Sequence, residues 1–235
     1  MTLKEDLSNK VREYAKEPWD EIPDGYVVPA PEDLTFGNTG RRLSACILYA
    51  DICGSTAMVD SLSDTQAAEY YKAYLHCAAK LIKRNGGEIT AYDGDRVMAV
   101  FLGDAKEDRA VNAAMELSYA VSKIINPEFS TVYATLHRDL RHTVGIDAST
   151  VLASKTGVRI DSDLVWVGPA ANYAAKLNSF DGLDTSYPIR VTEEVYKALS
   201  TNCLIGSGGE LMWEGPYSNF DPRRHYRSRH YQIIG

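Results

Sequence analysis

The stretch from Leu43 to Ala50 constrains this chain more than any other. It is apolar almost throughout, then stops abruptly at Asp51 with Gly54 close behind. Apolar density of that kind marks a buried strand, and a buried strand needs neighbours in a sheet and a layer packed on it. Downstream, Ser63 and Gln66 give a capping-box start to a helix whose apolar face runs through Leu81 and Ile82. Glu88 to Tyr92 and Arg96 to Phe101 read as strands around Asp93-Gly94, a dipeptide suited to a tight hairpin. A helix is expected over 104–125. Further strands are expected at His142 to Ala148, Val151 to Lys155 and Leu164 to Val167, followed by a helix opened by Gly168-Pro169. A short strand near Ile189, a helix from Thr192 to Leu199 and a strand-like tail complete the chain. The order β-α-β-β-α-β with additions fits the ferredoxin-like α+β class, an antiparallel-rich sheet with helices packed on one face.

Composition sets the domain plan and removes several functions. With 235 residues, 45% of them hydrophobic and 24% charged, the chain has material for one substantial domain, placed at residues 41–235. Residues 1–40 precede it as a short amphipathic helix, with Leu3, Leu7, Val11 and Tyr14 along its stripe, and an extended linker containing Pro18, Pro23, Pro29 and Pro31. A net charge of −7 supplies no general attraction for nucleic acid or an anionic membrane, so any phosphate ligand is held locally. No apolar run is long enough for a membrane span, and the N-terminus is charged from Lys4 onward, so a cytoplasmic protein is expected. Cys46, Cys53, Cys77 and Cys203 are spaced for neither a zinc site nor a disulfide framework, and the histidines form no metal pattern.

Two carboxylates stand out chemically. Asp51 ends the apolar strand beside Gly54-Ser55-Thr56, a small-residue turn whose main-chain amides are accessible to phosphate oxygens. Asp95 follows the hairpin turn, so the two strand ends can bring both carboxylates together. Hard oxygen ligands suit magnesium or manganese, and two such ions about 3.5–4 Å apart activate a hydroxyl and neutralise a leaving pyrophosphate.

On these residues the chain resembles the class III adenylyl and guanylyl cyclases. Ile47 to Thr56 is similar to the first metal-site motif of that family, Gly94 to Phe101 to the second, His142 to Ser149 to the strand and turn that follow, and Val167 to Leu177 to the helix bearing transition-state residues. The resemblance implies that Asp51, Asp95 and the backbone carbonyl of Ile52 hold two divalent cations, Mg2+ or Mn2+, that Asn172 orients the ribose of a nucleoside triphosphate, and that Lys176 stabilises charge on the α-phosphate. It also implies a head-to-tail homodimer with composite sites, the carboxylates coming from one chain and the Asn172 helix from the other. Lys176 stands where arginine is usual, keeping the charge without the planar fork. Arg96 and the cluster Arg223, Arg224, Arg227 and Arg229 are possible triphosphate contacts, although a solvated surface is the plainer reading for most of them.

The positions that read adenine in familiar members hold Ala91 and Val165, neither of which makes those hydrogen bonds. Tyr49 shares the face of Asp51 by strand alternation, where its ring would narrow a base pocket and its hydroxyl would meet a pyrimidine edge. These departures make the chain similar to the bacterial pyrimidine cyclases of the Pycsar anti-phage systems, whose products activate a cyclic-nucleotide-sensing effector; UTP is the expected substrate. The alternatives are a purine (ATP) cyclase and a non-catalytic, nucleotide-binding cyclase-like module, the latter opposed by the intact Asp51, Asp95 and Asn172. A diguanylate cyclase is suggested only by Gly86-Gly87-Glu88, which precedes the strand instead of forming the central hairpin.

Overall fold

The apolar run extends both ways into a twelve-residue strand, β1 (Arg41–Ile52). Alternation sorts its side chains: Cys46, Leu48, Ala50 and Ile52 enter one buried cluster, while Leu43, Ala45 and Ile47, with Tyr49 packed beside them, enter another on the opposite face. The structure, a computed structural model, describes residues 1–133, 138–179, 184–220 and 222–235. Helices α1 (Leu3–Lys16), α2 (Ser55–Ser61) and α3 (Asp64–Arg84) are followed by strands β2 (Glu88–Asp93) and β3 (Arg96–Leu102), then by α4 (Lys106–Ala120) and α5 (Asn126–Val132). Next come β4 (His142–Val158), β5 (Asp161–Val167), α6 (Pro169–Ser179) and β6 (Ile189–Thr192). The chain ends with α7 (Glu193–Ala198), α8 (Thr201–Leu204), β7 (Glu214–Tyr217) and β8 (His225–Ser228).

Eight strands form one mixed sheet in the order β2-β3-β1-β4-β6-β8-β7, with β5 folding back on β4. Every pairing is antiparallel except β4 with β6. The α+β class expected from the element order is the one observed.

The helices, however, occupy both faces of the sheet. α3 and α4 cover the face of Cys46 and Leu48, whereas α6 lies on the other through Ala170, Ala171 and Ala174. Small residues allow this close approach. A Cβ on Gly145 of β4 would lie 2.2 Å from the Ala174 carbonyl oxygen, so only glycine lets α6 rest directly on the strand.

Several boundaries also differ from expectation. The two strands expected at His142 to Ala148 and Val151 to Lys155 are one continuous β4, because Ser149 does not break it: its Oγ accepts the Ala170 N–H at the start of α6, 2.9 Å away. The helix expected over 104–125 passes at Val121–Ile125 into a wider π turn, just before Pro127, which has no N–H to donate, and resumes as α5. In the hairpin Asp93 pairs with Arg96, so the loop is Gly94-Asp95, with Gly94 supplying the positive φ of 60°. The proline-rich segment is docked instead of free: Gly25 N–H and Arg42 N–H bond to Arg42 O and Pro23 O, and Leu34 is buried. α1, by contrast, has no buried residue and is tied down by Asn38, whose Nδ2 donates to Tyr14 O and Glu17 O.

Where β4 begins, His142 is 4% exposed, its Nε2 3.2 Å from Ser118 Oγ and its ring 6.0 Å from that of Tyr74. Burial disfavours the imidazolium and lowers its pKa to about 4. The unfolded chain takes up that proton near the ordinary value of 6.5, so the stability given by a neutral ring is present above about pH 6.5 and lost as pH falls toward 4. Between about pH 7 and about pH 5 the unfolding free energy should fall by about 2 kcal/mol more in the wild type than in His142→Gln. Urea unfolding at each pH measures this, and parallel curves for the two proteins would refute it.

Candidate active site

Register carries the two carboxylates together. Ala50 of β1 pairs with Val97 of β3, which brings Asp51 to the level of Arg96 and the Gly94-Asp95 turn. Asp51 and Tyr49 lie on the face that also holds α6, as alternation requires. Arg96 donates to Asp51 Oδ2 through Nε at 3.1 Å and Nη2 at 2.9 Å, while the Ile52 N–H donates to Oδ1 at 3.0 Å. Burial raises the Asp51 pKa; the Arg96 hydrogen bonds lower it, Asp95 raises it again, and the result is about 6. Asp95 Oδ2 is buried without a hydrogen-bond partner among the described residues.

This donor set fits a small divalent cation. An orphaned carboxylate oxygen beside a half-buried second carboxylate offers hard ligands in a low-dielectric pocket. The Ile52 side chain is buried toward the helices, so only its backbone is available to a metal. Among the described residues no group of three or more His, Cys, Asp or Glu side chains is placed to hold a metal. A cation here would be held by Asp51, Asp95, the Ile52 carbonyl and oxygens of its ligand.

Gly54 adopts φ 69°, and Ser55 and Thr56 open α2, a short helix where the sequence reads as a simple turn. Tyr49 is half-buried, and burial raises its phenol pKa. Ala91 is exposed and Val165 is 42% exposed. Their strands contribute neighbouring residues, Glu88 to Thr90 and Asp163, Leu164 and Trp166, to a cavity of about 260 Å3 that Val28 to Pro31 also line, but neither Ala91 nor Val165 lines it.

Asn172 and Lys176 sit one turn apart on the exposed face of α6, with Ala170, Ala171, Ala174 and Leu177 turned inward. Among the described residues no hydrogen bond or ion pair joins either of them to Asp51 or Asp95. The Lys176 ammonium lies 5.6 Å from the Tyr173 ring centroid. Behind it the Arg223 guanidinium stacks on the same ring at 4.3 Å and pairs with Asp147, which is fully buried and also accepts from Thr192 Oγ1. Arg224 pairs with Glu193, and Arg227 with Asp184 and Glu214; Arg223 and Arg227 are largely enclosed, whereas Arg224 and Arg229 are exposed, as the solvated-surface reading expects.

Two features escape the sequence. Arg138 donates to Ala57 O and Ser61 Oγ of α2, and its Nη2 lies 4.0 Å from where a Gly54 Cβ would be, which places a cation over the Gly54 turn. The Asp147, Arg223 and Tyr173 assembly joins three separate elements. No local pattern marks either; both are pairings between distant parts of the chain.

Comparison with known proteins identifies the family and the fold. Residues 39–220 match the adenylate and guanylate cyclase catalytic domain family. A protein of Xanthomonas perforans named uridylate cyclase is 44% identical over 230 residues, 97% of each chain. Another of that name, from Burkholderia cepacia, is 42% identical over 215 residues, 91% of each. Among solved structures, the guanylyl cyclase Cya2 superimposes with a TM-score of 0.66 at 19% identity, covering 82% of this chain and 95% of that one. The adenylyl cyclase CyaB from P. aeruginosa does so at 0.65 and 20% identity, covering 83% and 99%. These last two likenesses establish the fold.

The two acidic side chains lie close enough to destabilise one another. Asp95→Asn removes one charge and gives the buried oxygen position a neutral group, so it should lower the Asp51 pKa toward the ordinary carboxylate range and raise the unfolding free energy by about 1 kcal/mol. Cyclase turnover should at the same time be lost. Thermal unfolding alongside a product assay tests both, and a variant no more stable than the wild type would contradict the repulsion.

Proposed function

This chain belongs to the adenylate and guanylate cyclase catalytic domain family, and from that premise we propose that it converts UTP to 3′,5′-cyclic UMP and pyrophosphate. The observation that carries the pyrimidine preference is the set Ala91, Val165 and Tyr49: two apolar residues at the positions that read purines and a large phenol on the carboxylate face. A purine would leave polar edge atoms without partners at Ala91 and Val165, at a cost of about 1–3 kcal/mol for each desolvated group. The relatives named uridylate cyclases agree with this choice.

In the reaction the 3′-hydroxyl oxygen attacks the α-phosphorus, the hydroxyl proton is lost, and pyrophosphate leaves. Asp51, Asp95 and the Ile52 carbonyl would hold two Mg2+ or Mn2+ ions, which when bound lower the pKa of the attacking hydroxyl and offset charge on the leaving group. Gly54, Ser55 and Thr56 face the phosphates with main-chain amides. Asn172 fixes the ribose, and Lys176 supplies positive charge as the α-phosphate becomes more anionic. Both lie on the outer face of α6, which favours their use by the site of a second copy, the carboxylates of one chain meeting the α6 of the other in a homodimer. Free thiols at all four cysteines agree with a cytoplasmic setting, and no helix among the described residues is long and apolar enough to cross a membrane. The product would act as a messenger read by a cyclic-nucleotide-sensing effector, as in anti-phage defence.

Competition among equal concentrations of the four ribonucleoside triphosphates with manganese should give cyclic UMP with at least about a tenfold advantage over cyclic AMP or cyclic GMP, a gap of about 1.4 kcal/mol. A dominant purine product would overturn the base assignment and leave the cyclase standing. For the shared site, Asp51→Ala and Asn172→Ala chains should each be inactive alone, and co-expressed mixed dimers should regain activity through one undamaged site per dimer. Isolated mixed dimers as inactive as either parent would refute the division of labour.

A further inference from the structure

Arg96 occupies one oxygen of the carboxylate that would hold a metal ion. Of the two Asp51 oxygens, Oδ1 accepts the Ile52 N–H, while Oδ2 takes both the Nε–H and the Nη2–H of Arg96. A divalent cation bound by Asp51 and Asp95 requires a lone pair on Asp51, and Oδ2 is the oxygen turned toward the hairpin that carries Asp95. Arg96 belongs to that hairpin too, immediately after Asp95 and the Gly94 turn. The guanidinium and the metal therefore compete for one acceptor.

Charge balance gives the competition a direction. Two carboxylates neutralise one dication. A second dication, with Arg96 still in place, leaves the pocket strongly positive in a half-buried setting, which is costly. A triphosphate tail removes the excess. Arg96 is suited to move onto it: its side chain is 33% exposed, against 18% for Asp51, so it has an open side, and its planar fork matches phosphate oxygens as well as carboxylate oxygens.

We propose that Arg96 is an exchangeable counter-ion: it holds Asp51 Oδ2 until divalent cation and nucleotide arrive together, then transfers its guanidinium to the phosphate tail. The arrangement makes metal binding weak without nucleotide and strong with it, so that the carboxylates are loaded by the metal–nucleotide complex and not by metal alone. The metal half of this inference rests on the Asp51 and Asp95 site, and the nucleotide half on the cyclase reading.

The two halves predict effects of opposite sign, which separates them from simple disruption. In the full-length Arg96→Gln protein, Mn2+ titrated without nucleotide and followed by electron paramagnetic resonance should bind about fivefold more tightly than to wild type, because the competitor is gone. The same variant should show a KM for manganese-UTP about tenfold higher, because the phosphate tail has lost its fork. Arg96→Lys, which keeps the charge, should bind Mn2+ close to wild type and recover part of the KM. Weaker or unchanged Mn2+ binding in Arg96→Gln with native circular dichroism refutes the competition, and an unchanged KM refutes the transfer. Asp51→Asn should lose Mn2+ binding; if it does not, the carboxylate site itself is wrong, a failure distinct from that of Arg96 alone.

Discussion

The register of β1 between β3 and β4 sets Tyr49 and Asp51 on one face of the sheet and brings Asp51 level with the turn that carries Asp95. Tyr49 faces Met98 on one side and Gly145 on the other, and a slip of one residue would exchange the two faces of the strand. Asp51 would then point into the packing of α3 and α4, and Leu48 and Ala50 would leave it. The core prevents this because both faces of β1 are buried by different partners, aromatic and branched residues on one and the alanines of α6 on the other. Packing that stabilises the sheet thus also aims the carboxylates.

Against that rigid frame the site itself is under electrostatic tension. A folded state that sets Asp51 beside Asp95 in a half-buried pocket, with one carboxylate oxygen lacking a hydrogen-bond partner among the described residues, gives up stability there. Arg96 relieves part of the strain without removing it. The apolar clusters on the two faces of the sheet offset that cost.

Much of this was legible from residues alone where the signal is local. β1 is announced by its apolar density, α3 by the Ser63 cap, whose Oγ accepts from the Gln66 N–H, and the hairpin by its glycine; these bring Asp51 and Asp95 near one another, although Asp95 lies within the turn and not after it. What escaped is non-local or ambiguous by nature. The order of elements does not say which face a helix covers, and the hint for α6 was only its run of alanines opposite Gly145. Ser149-Thr150 looks like a chain break because polar residues in a strand usually mark one, yet the serine caps a helix. The partners of Arg223 and Arg138 lie 76 and 81 residues away in the chain, and no window of sequence encodes such pairs.

The two halves of the proposed site are thereby anchored to different parts of the molecule. Asp51 is held by strand pairing near the end of β1, and Asp95 sits in the two-residue turn between β2 and β3 beside it. Lys176 rides on a helix that touches the sheet through bare backbone at Gly145, and Tyr173 beside it is gripped by Arg223 from the C-terminal arm. Arg223 thus clamps the last segment of the chain to two elements at once, to α6 through the Tyr173 ring and to β4 through Asp147.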